Sequence, residues 1–451
     1  MIGDLKPYPT YKDSGMPRLG EVPEHWEVRR LKRVCRLAYG DSLPTEAREE
    51  GAVPVFGSNG RVGLHSSANT KAPCIVVGRK GSFGKVNFSA GPLFAIDTTF
   101  FIDDRFTESS VRWLFYLLGW LQLDEVSKDS AVPGLDREEA YQRVVPLPPL
   151  PEQSAMVRFL DHVDRRIRRY IRAKKKLIEL LNEQKQAIIH RAVTRGLNHN
   201  ARLKPSGVEW LGDVPEHWEL VRNGRLFIQR NEIGFPELPI LEVSLKTGVR
   251  IRDFESSDRK QVMADRSKYK RAAKGDIAYN MMRMWQGAVG VTPVDGLVSP
   301  AYVVAKPLEE TEPRYFSALF RTSAYMGEVD KYSRGIVKDR NRLYWEDFKQ
   351  MSTICPPPNE QVAVANAIDQ RTATIDDGIH RIEREISLVC EYRTRLIADV
   401  VTGKLDVREA AARLPEEAEE PEPLEDADAL AEGNEEGEGA ALDATTEEAE
   451  T

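Results

Sequence analysis

The sequence of 451 residues contains no apolar run as long as the roughly 18 residues that a membrane-spanning helix needs. Its N-terminal segment, MIGDLKPYPTYKDSG, lacks the apolar core of a signal peptide. Cysteine is scarce: Cys35, Cys74, Cys355 and Cys390 lie far apart, form no CxxC pair and have no histidine cluster nearby. This pattern favours reduced, buried thiols over a zinc site and predicts a cytoplasmic protein without a bound metal.

Motifs of DNA-modifying and nucleotide-binding enzymes are absent as well. We find no glycine-rich AdoMet loop and no PD…ExK cluster, and the prolines before Asn359 lack the flanking Asp or Asn and the aromatic residue of a methyltransferase motif. The segment GRKGSFGK at 78–85 is not a P-loop, because Val86 follows Lys85 where Ser or Thr is required. An independent methyltransferase or nuclease is therefore disfavoured, although methyl transfer by the isolated chain would restore that hypothesis.

Basic residues are missing from the C-terminal tail. From Pro415 onward the chain has 16 acidic residues and neither Lys nor Arg, so the rest carries 55 acids against 64 bases, a net charge of about +9. This composition predicts a disordered tail, which is either a solubilising end or a DNA mimic that competes for the basic body. A basic body without a membrane signal weakly indicates a nucleic-acid partner.

The chain is a tandem duplication. The hexapeptide VPEHWE occurs at 22–27 and again at 214–219, and PPLPEQ at 148–153 has a counterpart, PPPNEQ, at 356–361. Each repeat runs from the hexapeptide through a variable stretch to a proline-rich turn and a long helix. His25 and His217 have no acid–base partners nearby in the sequence, and we expect them to serve in packing or capping.

The segment from Pro151 to Gly196 predicts one uninterrupted helix, because proline precedes it, glycine ends it and neither occurs between. About 45 residues give a rod of roughly 65 Å. Apolar residues recur in steps of three and four in this segment and in its copy, a heptad stripe that predicts mutual pairing; Asp164, Lys174 and Lys185 interrupt it. The predicted pairing positions are Leu160, Ile167, Ile171, Ile178, Leu181, Ile188, Ile368, Ile375, Ile379, Ile382, Ile386, Val389 and Leu396.

The first variable stretch alternates short apolar runs with glycine turns. We expect a strand–turn–strand at 53–63 with its turn at Asn59, and a glycine loop at 78–85 after a buried strand. The segment 109–123 predicts a short, very apolar core helix. Glycines allow backbone amides to approach phosphates, and basic side chains contact phosphates or guanine; an ordinary surface hairpin explains the pattern equally well. The candidate DNA-binding residues here are Asn59, Arg61, Arg79, Lys80, Ser82 and Lys85.

The second variable stretch has the same plan with little sequence identity. Polar and aromatic residues form a turn between strands at 273–291, and basic and aromatic residues alternate at 332–348. That mixture suits a surface that follows a DNA backbone, although an amphipathic segment with buried aromatics is a serious alternative. The candidate DNA-binding residues here are Asn280, Arg283, Trp285, Gln286, Arg334, Lys338, Arg340 and Arg342.

In its duplicated order of VPEHWE, variable stretch, PPLPEQ or PPPNEQ and long helix, the chain resembles the specificity subunits of type I restriction–modification enzymes from about Tyr8 to Leu405. The segments VPVFGSNGRVG, GRKGSFGKV, MRMWQGAVG and RGIVKDRNRLYWEDF add to the likeness, and the acidic tail does not. The resemblance implies an α+β fold with two mixed α/β target-recognition domains, each followed by a long helix, the helices pairing as an antiparallel coiled coil. The implied segments are a first recognition domain at 1–150, its helix at 151–198, a second domain at 199–357, its helix at 358–405 and the tail at 406–451.

The resemblance further implies a non-catalytic subunit whose two domains each read one half of an interrupted, asymmetric DNA site. The helices would set the spacer and dock two modification (methyltransferase) subunits, and restriction subunits would join them. S-adenosylmethionine, ATP and Mg²⁺ would be bound by those partners, and no cofactor by this chain. A coiled-coil scaffold that does not read DNA is the alternative, against which the basic body and the basic–aromatic loops argue.

Overall fold

The structure is a computed structural model that describes residues 5–126, 134–252, 266–335 and 341–415. The chain divides into two compact units: the first combines residues 1–175 with 383–451, and the second comprises residues 176–382. Both boundaries fall inside the long helices, so each unit contains one variable stretch and a part of each helix. The units therefore do not coincide with the sequence repeats.

The elements follow the chain in this order. Up to residue 200 they are β1 (Tyr11–Asp13), β2 (Glu21–Pro23), β3 (Glu27–Arg30), β4 (Ala38–Tyr39), β5 (Val53–Gly57), β6 (Gly60–His65), β7 (Cys74–Gly78), β8 (Val86–Ser89), β9 (Phe94–Ala95), β10 (Thr99–Ile102), α1 (Val111–Leu121), α2 (Arg137–Gln142), β11 (Val144–Leu147) and α3 (Leu150–Arg195). Single-turn 3-10 helices lie at Leu31–Arg33, Thr45–Ala47 and Leu123–Val126.

The second half repeats this plan. Its elements are β12 (Leu203–Pro205), β13 (Asp213–Pro215), β14 (Glu219–Arg222), β15 (Phe227–Arg230), β16 (Leu241–Ser244), β17 (Gly248–Ile251), β18 (Lys270–Ala272), β19 (Ile277–Asn280), β20 (Val289–Val291), β21 (Gly296–Val298), β22 (Tyr302–Pro307), α4 (Pro313–Phe320), α5 (Ser323–Tyr332), α6 (Trp345–Phe348), β23 (Ser352–Cys355), α7 (Pro358–Val401) and α8 (Arg408–Ala412). Here 3-10 helices lie at Asn223–Arg225, Arg266–Lys268 and Met284–Gln286.

A four-stranded sheet forms the centre of each variable stretch. Its order is β4-β10-β7-β8 in the first unit and β15-β22-β19-β20 in the second. In both sheets the two inner strands pair with each other, and a hairpin, β7–β8 or β19–β20, forms one edge. All pairings are antiparallel. The two variable stretches therefore share a sheet topology despite their low sequence identity.

Apolar helices cover these sheets. The predicted helix at 109–123 forms α1, whose N-cap Ser110 accepts a hydrogen bond from the Trp113 amide, and it buries Trp113 and Leu117 completely. In the second unit α4 buries Phe316 and Phe320 against Phe227. Each unit thus has its own core of interlocking aromatic and aliphatic side chains.

The long helices agree with the predicted pattern. Helix α3 ends at Arg195, and Gly196 follows with φ of 72°, the left-handed conformation that glycine adopts readily at a helix end. The predicted pairing positions fall into two burial classes. Leu160, Ile167, Ile171, Ile368, Ile379, Ile382 and Leu396 are buried, and Ile178, Leu181, Ile188, Ile375, Ile386 and Val389 are half-buried.

The polar residues that interrupt the apolar stripe of α3 each meet an opposite charge on α7. In the first unit Asp164 Oδ1 accepts from Arg393 Nε at 2.5 Å, and Lys174 lies 2.9 Å from a carboxylate oxygen of Glu385. In the second unit Lys185 lies 2.6 Å from Asp376. In the first unit the partner number falls from 393 to 385 as the α3 number rises from 164 to 174, so the two helices run antiparallel there. These ion pairs select a register along an otherwise repetitive seam.

The repeated hexapeptide joins each variable stretch to the start of its helix. Trp26 Nε1 donates to Glu152 Oε2 at 2.9 Å, and His25 Nε2 lies 2.6 Å from Oε1 of the same carboxylate. In the second unit Trp218 and His217 contact Glu360 in the same way, at 2.9 and 2.7 Å. The acidic partner of each histidine lies more than a hundred residues away in the sequence, which agrees with the absence of a partner near the hexapeptide.

The end of α7 packs against the first hexapeptide. Gly403 has φ of +80°, and a Cβ there would overlap the Pro23 ring and lie 2.8 Å from Trp26 Cζ3. Lys6 and Asp406 form a backbone bridge nearby, so both ends of the described chain lie in the first unit. Residues near the two ends of the described chain therefore pair with each other in the first unit.

We expect Gly403→Ala to lower the free energy of unfolding of the first unit by about 2 to 4 kcal/mol, the sum of left-handed strain and overpacking. Gly15→Ala is the matched control, because Gly15 has φ of +71° and a Cβ added there would have no other atom within 4 Å. It should cost only about 1 kcal/mol. Hydrogen exchange of α1 amides measures the change, and equal effects of both substitutions would contradict the proposed overlap.

Candidate nucleic-acid interface

The predicted glycine loop of the first unit connects β7 and β8. Gly81 and Gly84 adopt positive φ values of 73° and 79°, and a Cβ on Gly84 would overlap the backbone at Asp124. Lys80 and Ser82 are exposed, and Lys85 Nζ donates to Asn59 Oδ1 at 3.2 Å. The glycines allow a tight loop to reach the turn between β5 and β6.

These two turns line one wall of a cleft of about 1080 Å³ in the first unit. Of the residues predicted to bind DNA, the cleft wall contains Asn59, Arg61, Ser82 and Lys85. Arg61 and Asn59 are exposed at its rim. Four side chains that were selected from two separate sequence segments thus share one surface.

The lining of the cleft also contains basic residues that the sequence pattern did not indicate. Arg112 stacks over the Phe88 ring at 4.3 Å, and its Nε donates to Asp161 Oδ1 at 2.9 Å. Burial opposes the charge of Arg112, but Tyr116 and Asp161 outweigh burial and raise the pKa of the guanidinium. Arg112 lies in a segment interpreted as an apolar core helix. Because its neighbours in the sequence are apolar, the pattern did not indicate a site residue there.

Arg79 occupies a different surface from Lys85. Its Nε and Nη2 donate to the Asp97 carbonyl oxygen at 3.1 and 2.7 Å, and its guanidinium lies 5.2 Å from the Tyr39 ring centroid. Arg137 approaches the same ring at 4.8 Å. Tyr39 is 49% exposed, so two arginines and one aromatic ring form a patch of their own. Tyr39 and Arg137 were not among the predicted site residues, because neither lies in a glycine-rich or basic motif.

In the second unit the predicted turn connects β19 and β20. Arg283 is half-buried and Gln286 is exposed, and Gly287 completes the turn with φ of 90°. Asn280 is 6% exposed, and its Oδ1 accepts a hydrogen bond from the Met282 amide at 2.9 Å. Asn280 therefore shapes the turn, and its side chain is not presented to a ligand.

Trp285 is likewise held by the turn. Its indole Nε1 donates to the Met282 carbonyl oxygen at 2.9 Å, and the ring packs partly against the core of the second unit. The Trp285 side chain is half-buried in this position, and it supports the turn from the side of the core. Its predicted contact with DNA would use only the exposed part of the ring.

The segment after α5 returns to this turn. The Leu343 amide donates to the Met281 carbonyl oxygen at 2.8 Å, and Arg334 and Arg342 exchange backbone hydrogen bonds. Both arginine side chains are exposed, and Arg334 also contacts Asp347. The structure thus brings Arg334 and Arg342 to the turn that carries Arg283. Lys338 and Arg340 lie outside the described residues.

Arg321 connects two turns of the second unit through hydrogen bonds to their carbonyl oxygens. Its Nη1 donates to the Gly287 and Val289 carbonyl oxygens, and its Nη2 donates to those of Leu245 and Lys246. Burial lowers the pKa of the guanidinium. One arginine therefore links the β19–β20 turn to the β16–β17 turn, a role that follows from tertiary structure and has no signature in the sequence.

Other kinds of site are not evident where the structure can be described. Within those ranges no cluster of three or more His, Cys, Asp or Glu could hold a metal ion. No helix among the described residues has the length and apolar character to cross a membrane. All four cysteines are free thiols, and burial raises the pKa of Cys35 to about 12 and that of Cys74 to about 11, which disfavours a thiolate nucleophile.

Residues 23–180 match the family model described as type I restriction modification DNA specificity domain. A protein of Methanocaldococcus jannaschii named as the type I restriction enzyme MjaX specificity subunit is 22% identical over 434 residues, which cover 88% of this chain and 98% of that protein. The MjaVIII specificity subunit of the same organism is 30% identical over 112 residues, 24% of this chain and 25% of that protein.

A solved structure from a study of complex assembly and conformational transition of the type I R-M system has a similar fold. Its TM-score is 0.58 at 14% identity, and the match covers 85% of this chain and 99% of that chain. A likeness over this share of the chain supports the α+β architecture.

Proposed function

We propose that this chain, which belongs to the specificity subunits of type I restriction–modification systems, selects the DNA sequence on which such a system acts. The observation that carries the proposal is the shared sheet: the segments 78–85 and 281–287 occupy the same hairpin connection in the two units. One scaffold that displays two different sets of polar side chains suits the reading of two different half-sites. Together they define an interrupted, asymmetric DNA sequence.

The exposed basic side chains near these hairpins provide the contacts. Lysine and arginine bind phosphates, and arginine or glutamine can pair with guanine or adenine edges in the major groove. We assign contacts to Asn59, Arg61, Lys80, Ser82 and Lys85 in the first unit and to Arg283, Gln286, Arg334 and Arg342 in the second. Arg79 and Trp285 contribute through their exposed edges, and Lys338 and Arg340 are proposed from the sequence alone.

We expect Arg283→Ala and Arg342→Ala each to weaken binding to duplex DNA that contains the target by about 5- to 100-fold, the usual range for a base or phosphate contact. A phosphate contact would also reduce the slope of log K against log salt by about one, whereas a base contact would relax the sequence preference. Arg381→Ala is the control, because Arg381 is an exposed arginine on helix α7. Unchanged affinity and sequence preference in both variants would refute these assignments.

The long helices are the proposed docking surfaces for two modification (methyltransferase) subunits, with restriction subunits joining the assembly. Large apolar side chains remain exposed on both helices: Leu388 at 59% and Tyr392 at 39% in the first unit, and Leu177 at 41% and Leu180 at 49% in the second. Exposed apolar side chains on a helix commonly mark a protein interface.

Catalysis is assigned to the partners. We propose that S-adenosylmethionine, ATP and Mg²⁺ are bound by the modification and restriction subunits, and that this chain contributes sequence selection alone. We also propose a cytoplasmic location, which agrees with four free thiols.

Methylome sequencing of cells that express this chain with its modification subunit tests the function. A new motif of two short defined blocks around a fixed number of unspecified bases is the expected result. If methylation remains absent although the complex assembles, and duplex binding shows no salt-dependent affinity, the chain acts as a coiled-coil scaffold and the proposal fails.

The same measurement tests the helices as a spacer. Both α3 and α7 contribute to both units, so seven residues added to each helix at facing positions preserve the apolar stripe and add about 10 Å of helix. We expect the unspecified run to lengthen by about one to three base pairs, at 3.4 Å per base pair, while both half-sites persist. An unchanged run in an active variant would contradict this role.

A further inference from the structure

Helix α3 carries an unusually basic segment outside the proposed DNA-contacting loops. Residues 165–175, RRIRRYIRAKK, include seven bases and no acid. Arg168 and Lys174 pair with Asp164 and Glu385 in the first unit. Arg165, Arg166, Arg169 and Arg172 occupy about a third of the helix circumference at 3.6 residues per turn, and we call these four arginines the basic face. All except the half-buried Arg165 are exposed.

Helix pairing does not account for the basic face. The corresponding segment of α7, residues 373–383, reads ATIDDGIHRIE and has one arginine and three acids. The two segments occupy equivalent positions in the two long helices. A long helix can therefore form with an acidic sequence at this position, and pairing does not require a basic one. Like charges three and four residues apart destabilise a helix, so the basic segment favours a binding partner of opposite charge.

The chain itself contains such a segment. Residues 416–451 carry 16 acids and no base, and eight of those acids fall within residues 416–428. Leu414, two residues before this acidic segment, lies against α3, where Arg158 Nη2 donates to its carbonyl oxygen at 2.6 Å. Arg158 precedes Arg165 by two helical turns, about 10 Å along the axis, and precedes Arg172 by about 21 Å. Ten extended residues reach about 33 Å, so the first acidic cluster can cover this distance.

We propose that the acidic tail of residues 416–451 binds the basic face of α3 within the same chain. Each exposed ion pair is weak and screened by salt, but many pairs on a tethered segment act at high effective concentration. The interaction is therefore intramolecular and salt-dependent, and it competes with polyanions for the four arginines. It does not depend on the proposed reading of DNA.

Carbodiimide cross-linking of the full-length chain tests the contact, since it joins carboxylates to amines that touch. In about 0.05 M salt we expect cross-links from glutamates of 416–428 to Lys174 or Lys175, and a several-fold lower yield in about 0.5 M salt, where the Debye length is shorter. Arg166→Gln with Arg169→Gln should reduce the yield several-fold. Arg384→Gln with Arg395→Gln, two exposed arginines of α7, should leave it unchanged.

Mixing isotope-labelled and unlabelled chains identifies the source of the tail. Cross-links within one chain support the proposal, whereas cross-links that join two chains overturn it. Equal yields in the two double variants, or cross-links spread over lysines throughout the protein, also overturn it.

Heparin affinity provides a second, independent readout. A full-length chain whose 16 tail acids are replaced by Gln or Asn should elute from heparin at higher salt than the native chain. That gain should disappear when Arg166→Gln and Arg169→Gln are added, because the tail then has no basic face to release. A gain of the same size in the combined variant would mean that the tail acts only through net charge and would overturn the proposal.

Discussion

Glu152→Ala is expected to lower the free energy of unfolding of the first unit by about 3 to 4 kcal/mol. The Glu152 carboxylate is 10% exposed and receives hydrogen bonds from Trp26 and Tyr8, with His25 and Arg408 also in contact. Burial, followed by Glu152, raises the pKa of the Tyr8 hydroxyl, so Tyr8 stays protonated and donates. Alanine would leave these buried donors without their acceptor.

Glu360→Ala is the matched substitution in the second unit. Glu360 makes the equivalent contacts with His217 and Trp218, but its side chain is 38% exposed, so water can replace the lost acceptor. The expected loss is about 1 to 2 kcal/mol. Hydrogen exchange resolved along the chain reports both units in one sample, and a larger loss at Glu360 than at Glu152 would show that burial does not control the strength of this contact.

Asp164→Ala should cost the first unit about 3 to 4 kcal/mol. The Asp164 side chain is 5% exposed and binds Arg393 of α7 and Arg168 of its own helix. Without the carboxylate, the buried Arg168 guanidinium loses its counter-charge. Asp376→Ala, which breaks the more exposed pair with Lys185, should cost less than about 1 kcal/mol.

Simultaneous replacement of Asp164, Arg168 and Arg393 by apolar residues separates two explanations for that loss. If the loss comes from an uncompensated buried charge, the triple variant should recover most of the stability measured by hydrogen exchange, because no ion remains to be solvated. If the triple variant is as unstable as Asp164→Ala, the attraction between the ions is itself the stabilising factor. The triple variant should keep the register of α3 on α7, because the pairs Lys174–Glu385 and Lys185–Asp376 remain and still select it.

Local sequence signals predicted the elements that depend on nearby residues. Proline before residue 151 and glycine at 196 bracket α3 to within a residue of its observed ends, and the heptad positions lie on its buried or half-buried side. The α+β plan was implied by the resemblance to type I specificity subunits. The heptad stripe predicted the pairing of the two long helices. The helix bounds and the pairing stripe follow from the spacing of apolar residues and from helix-terminating residues, both of which can be read from neighbouring positions in the sequence.

Features that depend on distant residues were not predictable. The acidic partner of His25 is Glu152, and the charges opposite Asp164 and Lys174 lie more than 200 positions away on α7. The register between two helices of similar pattern is not encoded in either helix alone. Arg112 was concealed by apolar neighbours for the same reason, because only the fold shows which residues of α1 face the cleft.

The partition of α7 between the two units has a consequence for synthesis on the ribosome. The second unit, residues 176–382, is complete in the nascent chain before the first, whose core includes Leu396, Val400 and Val401. At about 5 to 20 residues per second, roughly 240 residues separate Lys175 from the last described core position, a delay of about 12 to 50 s. The N-terminal half of the first unit must therefore wait, with Trp26 and the apolar face of α3 uncovered, until translation is almost finished.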